Sequence, residues 1–419
     1  MRIKNKNKRL ILIPIAIIIG FVIILLFIPN IQHRLLWRWE IARAYVNGVI
    51  NPVSAVPTAQ VESGPAAPTK PPASQPTTLM TATQAATLVQ ATPMPTLTPT
   101  PLPERVVLDA PVYELQDINN CGPATLTMYL RYYGWEGDQF SVSDIIKPIP
   151  QDRNVNVEEL DYYIKNYAGW LQTIYRVGGD LELIKKLTSA GIPVMIEEAF
   201  YFEESYWPND DFWGGHYLLI TGYDDQKQAF MGQDSFKGAN QWNAFSELDQ
   251  KWQAFNRVYT LIYLPEQEAT VKSILGENWD ADINRNLALE TAKKETETDP
   301  ENVYTWFNLG SNYVYFEEYD LAAQAYDHAR ELGWPQRMLR YQFGPFLAYF
   351  HSLRTDDLMA LTEYALERTP NSEEALLWRG WGLYREGDSQ AAISDFEEAL
   401  IAHPNYLDAQ YAINFMQAN

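Results

Sequence analysis

The stretch "DINNCGPATLTMYL", Asp117–Leu130, holds the only cysteine of a 419-residue chain. Gly122 and Pro123 follow Cys121, and the run "ATLTMYLRYYG" behind them sets Leu126, Leu130 and Tyr133 on one helical stripe. Proline is favoured in a first helical turn, which places Cys121 at or just before a helix N-terminus. There the macrodipole and the free amide N–H groups stabilise a thiolate and lower its pKa. The same amides can receive an oxyanion once sulfur attacks a carbonyl. A lone cysteine is most often a small buried hydrophobe, but Gly-Pro at a helix start favours the nucleophile. Gln116 lies five residues upstream and offers a side-chain amide as a second oxyanion donor.

A thiol nucleophile needs a base, and His216 is the only histidine between residues 105 and 266. It begins the strand-like run "HYLLITGYDD" behind Gly214 and Gly215, a position expected to face a cleft rather than a core. A third group must orient the imidazole and fix its tautomer. A hairpin turn centred on Asp225 makes paired numbers sum to about 450, so Asp234 is expected opposite His216 and Phe230 opposite Ile220. Such cross-strand neighbours have Cβ atoms about 5 Å apart.

Taken together, "Q-x4-CGPA", "GGHYLLITGYDD" and "QDS" resemble the C39-like branch of the papain-like cysteine peptidases over roughly residues 105–265. The resemblance implies a papain-like α+β fold, with a cysteine-bearing helix packed on an antiparallel sheet that carries histidine and aspartate. It implies Cys121 as nucleophile, His216 as base, Asp234 as third residue and Gln116 as oxyanion glutamine, with no cofactor. The double-glycine specificity of the transporter-fused, cytoplasm-facing members is not expected to carry over.

The local patterns agree. "RVVLDAPVYEL" alternates like a strand; "VEELDYYIKNYAG" and "DLELIKKLTSAG" read as helices stopped by Gly169 and Gly191 at C′. "IPVMIEEAF", "HYLLITGY" and "QAFMGQD" read as strands, "FSELDQKWQAF" as a helix and "RVYTLIYL" as a last strand. The loop "FYFEESYWPNDDFWGG", aromatic and acidic, is expected either to line a groove for basic or extended peptides or to form a packed lid.

Composition narrows the alternatives. A net charge of −21 and a pI near 4.7 oppose nucleic-acid binding, which needs a basic patch. One cysteine excludes an internal disulfide framework, and His33, His216, His328, His351 and His403 show no metal-ligand spacing. Against the acidic trend, Arg2, Lys4, Lys6, Lys8 and Arg9 precede an apolar run from Leu10 to Ile28. At 1.5 Å per residue, about 19 residues span roughly 28 Å, close to the hydrocarbon thickness. A cleaved signal peptide usually has only about 7–15 apolar residues, so a retained single-pass anchor is expected, with a cytoplasmic N-terminus and everything after Pro29 outside.

The expected organisation is a basic flank and transmembrane anchor over 1–30, a juxtamembrane helix over 31–50 and a disordered Pro/Thr-rich tether over 51–104. A C39-like cysteine peptidase domain over 105–266 and a helical repeat domain over 283–419 follow. In the last segment, Gly310, Ala322 and Ala329 recur as Gly380, Ala392 and Ala399, with Pro335, Pro370 and Pro404 closing units of about 34–36 residues. This resembles an all-α tetratricopeptide-repeat solenoid, whose groove would hold a protein partner or substrate. The middle copy departs, with Phe346 where the glycine would be. The peptidase-like unit and the repeats are each expected to bury a core of their own. The leading functional expectation is a membrane-tethered thiol hydrolase acting on peptide or protein outside the cytoplasm. A non-catalytic peptide-binding scaffold on the same fold, and acyl transfer through the same triad, are the alternatives.

Overall fold

The structure, a computed structural model, describes residues 101–149, 154–203 and 212–418, with parts of 38–60. The expected anchor over Leu10–Ile28 lies outside the described residues. Among the described residues no helix is long and apolar enough to cross a membrane. The described positions between Arg38 and Ile50 are helical.

One antiparallel sheet organises the first half of the body. Its strands are β1 (Arg105–Val107), β2 (Gln172–Arg176), β3 (Val194–Tyr201), β4 (Trp213–Asp224), β5 (Ala229–Asp234), β6 (Gly238–Ala244) and β7 (Tyr259–Tyr263). They run in the order β2-β7-β3-β4-β5-β6, and β1 pairs with β4 from Gly222 to Asp224, where β3 has ended. The central strands are buried on both faces, which is why β3 and β4 are apolar over most of their length, Glu197, Glu198, His216 and Thr221 excepted.

Successive side chains alternate between the faces. Tyr217 and Leu219 of β4 meet Met195, Ile262 and the helices α1 (Cys121–Tyr132), α2 (Gln139–Ile146) and α3 (Val157–Tyr167). Leu218 and Ile220 meet Ile196, Phe230 and the helices α4 (Leu181–Ser189) and α5 (Phe245–Gln253). Helix α6 (Glu268–Leu275) closes that second layer through Val271 and Leu275, although the stretch after Leu264 carries no evident core pattern in the sequence.

Several local expectations are corrected. Only Arg105–Val107 of "RVVLDAPVYEL" joins the sheet; beyond it Pro111 has no N–H to offer a ladder. Gly191 takes the left-handed conformation expected at C′, at φ +80, whereas α3 ends at Ala168 with no positive φ at Gly169. Strands β2 and β6 and helix α2 carry too little apolar alternation to be read from sequence.

The β4–β5 register differs by two at Asp234 and by three at Phe230, on the other side of a bulge. The turn spans Asp225–Gln228, and a bulge lies between Ile220 and Gly222. Asp234 therefore pairs with Leu218, and Phe230 with Tyr223. A shift of one would have sent Asp234 to the other face; a shift of two keeps it beside His216.

The remainder is all-helical. After α7 (Ala281–Thr298) come α8 (Val303–Tyr315), α9 (Tyr319–Leu332), α10 (Gly344–His351), α11 (Thr355–Arg368), α12 (Glu373–Glu386), α13 (Ser389–Ala402) and α14 (Leu407–Ala418), each packed on its predecessor. A Cβ on Gly310 would stand 2.7 Å from the Tyr326 ring, and one on Gly380 would stand 2.5 Å from Phe396. The two glycines thus admit an aromatic ring from the next helix at equivalent places. In the middle copy α10 is only 8 residues long, and its Phe346 is itself fully buried.

The two halves share a core. One apolar cluster runs from Ala199, Trp213, Ala254, Phe255 and Val258 of the sheet layer into Phe307, Tyr326, Met338 and Phe346 of the helices. Polar contacts cross the same boundary: Asn284 exchanges two hydrogen bonds with Val177, Asn308 donates to the Gln253 carbonyl and Arg337 donates to the Trp213 carbonyl. The expectation of two self-contained cores therefore fails for the second half, whose main cluster includes sheet residues.

Candidate active site

Cys121 is the first residue of α1, and Asn120 is its N-cap. The loop before it is pinned by Gln139 of α2. The Gln139 Oε1 accepts from the Asp117 N–H at 2.7 Å and from Asn120 Nδ2 at 2.8 Å, while its Nε2 donates to the Leu115 carbonyl at 2.8 Å. Lys147 Nζ donates to the Asn119 carbonyl at 2.7 Å, at a residue with φ +52. Gly122 permits close packing, since a Cβ there would lie 3.2 Å from Val155 and 3.4 Å from Tyr217. Thr125 Oγ1 donates to the Tyr217 carbonyl at 3.1 Å, which ties α1 to the strand that carries His216.

His216 is buried and hydrogen-bonds through Nε2 to Asp234 Oδ1 at 3.0 Å. Nδ1 is the ring nitrogen left to serve a thiol, and Cys121 is among the groups that raise the imidazole. Asp234 Oδ1 also accepts the N–H groups of Phe236 and Lys237 at 2.8 and 2.9 Å. Burial alone would raise this carboxyl, yet His216 and the two amides bring it down to about 2. Burial likewise disfavours the His216 cation, but Asp234 and Cys121 outweigh it and lift the imidazole to about 10.

The same balance holds at sulfur. Burial pushes the Cys121 thiol up; the His216 hydrogen bond and charge, the Tyr217 backbone and Lys147 together carry it below its ordinary value. The arrangement favours a thiolate–imidazolium pair. Gln116 sits at the end of β5: its N–H donates to the Ser235 carbonyl at 2.9 Å and its Oε1 accepts from Ser235 Oγ at 2.8 Å. All four residues singled out in the sequence therefore gather where the start of α1 meets β4 and β5.

Other residues around the site are given no role by the sequence. Gln139 is an ordinary polar residue until the loops close, and Ser235 figures only as the last residue of "QDS". Glu198 lies directly across from His216 on β3, and burial raises its carboxyl to about 7. The Phe200 ring stands 5.2 Å from the imidazole. Tyr341, from the helical half, packs on Gly215, where a Cβ would lie 3.0 Å from the phenol ring. Of the aromatic loop expected before His216, residues 204–211 lie outside the described residues.

The middle of the chain is similar to a known family of domains. Residues 107–260 match the model of the Peptidase_C39 like family and form a C39-like domain. Among solved structures, a Bacillus anthracis protein described as a C39-like peptidase aligns at 16% identity and a TM-score of 0.30, covering 38% of this chain and 97% of that one. No curated protein matches the chain.

Proposed function

We propose that the protein is a cysteine peptidase that hydrolyses peptide bonds through Cys121, His216, Asp234 and Gln116. The observation that carries this reading is the buried His216–Asp234 hydrogen bond at 3.0 Å, together with the downward pull of His216 on the pKa of the chain's one thiol. A scaffold has no need of such a thiol. Cys121 Sγ attacks the substrate carbonyl carbon, and the carbonyl oxygen takes the negative charge. The amides at the start of α1 and the Gln116 side-chain amide stabilise that oxyanion. His216 donates its proton to the leaving amine, which gives a thioester. It then removes a proton from water, whose attack releases the acid and restores the thiolate. Asp234 holds the ring and its charge throughout.

In this reading the helical half is a tetratricopeptide-like solenoid that holds a protein partner or substrate. The matched Gly310–Tyr326 and Gly380–Phe396 contacts support it. The apolar run Leu10–Ile28 behind five cationic residues supports a membrane anchor with the body outside the cytoplasm.

The test is turnover of a quenched-fluorescence peptide library by the whole chain, compared with Cys121→Ala and His216→Ala. Cleavage lost in both variants supports the reading. Labelling of Cys121 by electrophiles without cleavage of any peptide, or with transfer to added amines only, contradicts it.

A further inference from the structure

The expected tether does not run free from residue 51 to residue 104: its first part lies on the helical half. Tyr364 donates its hydroxyl to the Ser54 carbonyl at 2.9 Å, Arg330 Nε donates to the Pro57 carbonyl at 2.8 Å, and the Gln60 N–H donates to Asp357 Oδ1 at 3.0 Å. All three bonds reach main-chain atoms, at positions three residues apart. Val56 and Ala59, also three apart, are the residues turned inward: Val56 packs on the apolar cluster and Ala59 is buried. A repeat of three is the period of polyproline II, whose backbone groups are free of internal hydrogen bonds and open to a receptor.

The receptor side is fixed by contacts of its own. Arg330 and Asp357 are buried and bonded to each other at 2.8 Å, and Arg354 donates to Asp357 Oδ2 at 2.6 and 2.9 Å. The Arg330 guanidinium also lies 5.2 Å over the Tyr349 ring. Arg330 and Asp357 are thus held at a set spacing on α9 and α11 by contacts outside the peptide, which lowers the ordering needed for binding.

We propose that Arg330, Asp357 and Tyr364 form a binding site for a polyproline II peptide with small apolar residues three apart, and that residues 54–60 fill it in cis. The chain then enters the helical half first, and residues 61–104 close a loop from that site to β1. Cutting the loop leaves the body attached to its N-terminal segment without a covalent link. Linkage makes the docking intramolecular, so a free peptide of the same sequence competes poorly until the loop is cut.

The experiment uses the full chain in detergent, with a C-terminal tag and a specific protease site inserted between residues 80 and 81. After cleavage, residues 1–80 are expected to remain with the tagged body through gel filtration, and an excess of synthetic peptide covering residues 52–60 is expected to displace them. Ala59→Glu combined with Gln60→Pro is expected to lower retention at least tenfold. Both substitutions lie in the ligand segment, so the helical body stays folded, as circular dichroism checks. Separation of the wild-type pieces on cleavage alone overturns the proposal. Retention that survives both the double substitution and the competing peptide also overturns it.

Discussion

The phenol of Tyr341, carried by the helical half, lies against the backbone of Gly215, the residue immediately before His216. A Cβ at Gly215 would approach its ring to 3.0 Å, and the ring stacks edge-on to Trp213 with centroids 5.8 Å apart. Burial and the Cys121 thiolate both raise this phenol. The strand that carries His216 is therefore braced from outside the C39-like domain. Tyr341→Ala should cost about 3 kcal/mol of stability and lower Cys121 alkylation roughly tenfold or more, since small displacements weigh heavily on positioning. Tyr341→Phe should retain most of both, as thermal melts and alkylation rates will check. A chain ending at residue 266 would expose Trp213, Ala254 and Phe255 and is expected to aggregate.

Asp234 sets the acid limit of the site. Its carboxyl, held at about 2 against an ordinary value near 3.9, contributes stability that is fully present above about pH 4. That stability is lost as pH falls from about 4 through 2. The contribution is about 2 kcal/mol. Denaturant titrations between pH 2 and 5 should show this slope in the wild type and lose it in Asp234→Asn.

Gln139 should act on the site without touching substrate. Gln139→Ala leaves the Asp117 N–H and the Asn120 amide without their acceptor, at a cost of about 1–3 kcal/mol. Cys121 alkylation should slow in this variant while the midpoint of its pH profile holds.

The repeat relationship predicts a matched pair of effects. Gly310→Ala and Gly380→Ala each drive a Cβ to within 3 Å of an aromatic ring, and each should cost about 1–3 kcal/mol by overpacking. Similar losses in melting temperature would mark the two positions as equivalent.

What could be read in advance divides along physical lines. Cys121 and His216 stood out because rare residue types sat beside strong local signals, Gly-Pro at a helix start and glycines before a strand, whereas Asp234 came from hairpin pairing and Gln116 from its spacing before the cysteine. The strand pairing was legible in face but not in register, because the bulge after Ile220 and the Asp225–Gln228 turn leave no apolar signature. Gln139 and Tyr341 were invisible, and Ser235 was read only as part of "QDS", because their roles depend on chain segments that meet only on folding. Val271, Ile274 and Leu275 are a few apolar residues in a polar stretch, and they find a core to join only when the fold brings α4 beside them. Residues 54–60 read as tether because nothing in them forms a core; their partners lie near residues 330 and 360.

The most direct measurement of the central claim is the alkylation rate of Cys121 against pH in the full chain and in His216→Ala. The wild-type midpoint is expected clearly below the ordinary thiol value of about 8.5, with a rise toward that value in His216→Ala and a second change near pH 10 as the wild-type imidazolium loses its proton. A midpoint near 8.5 in both proteins would contradict the claim.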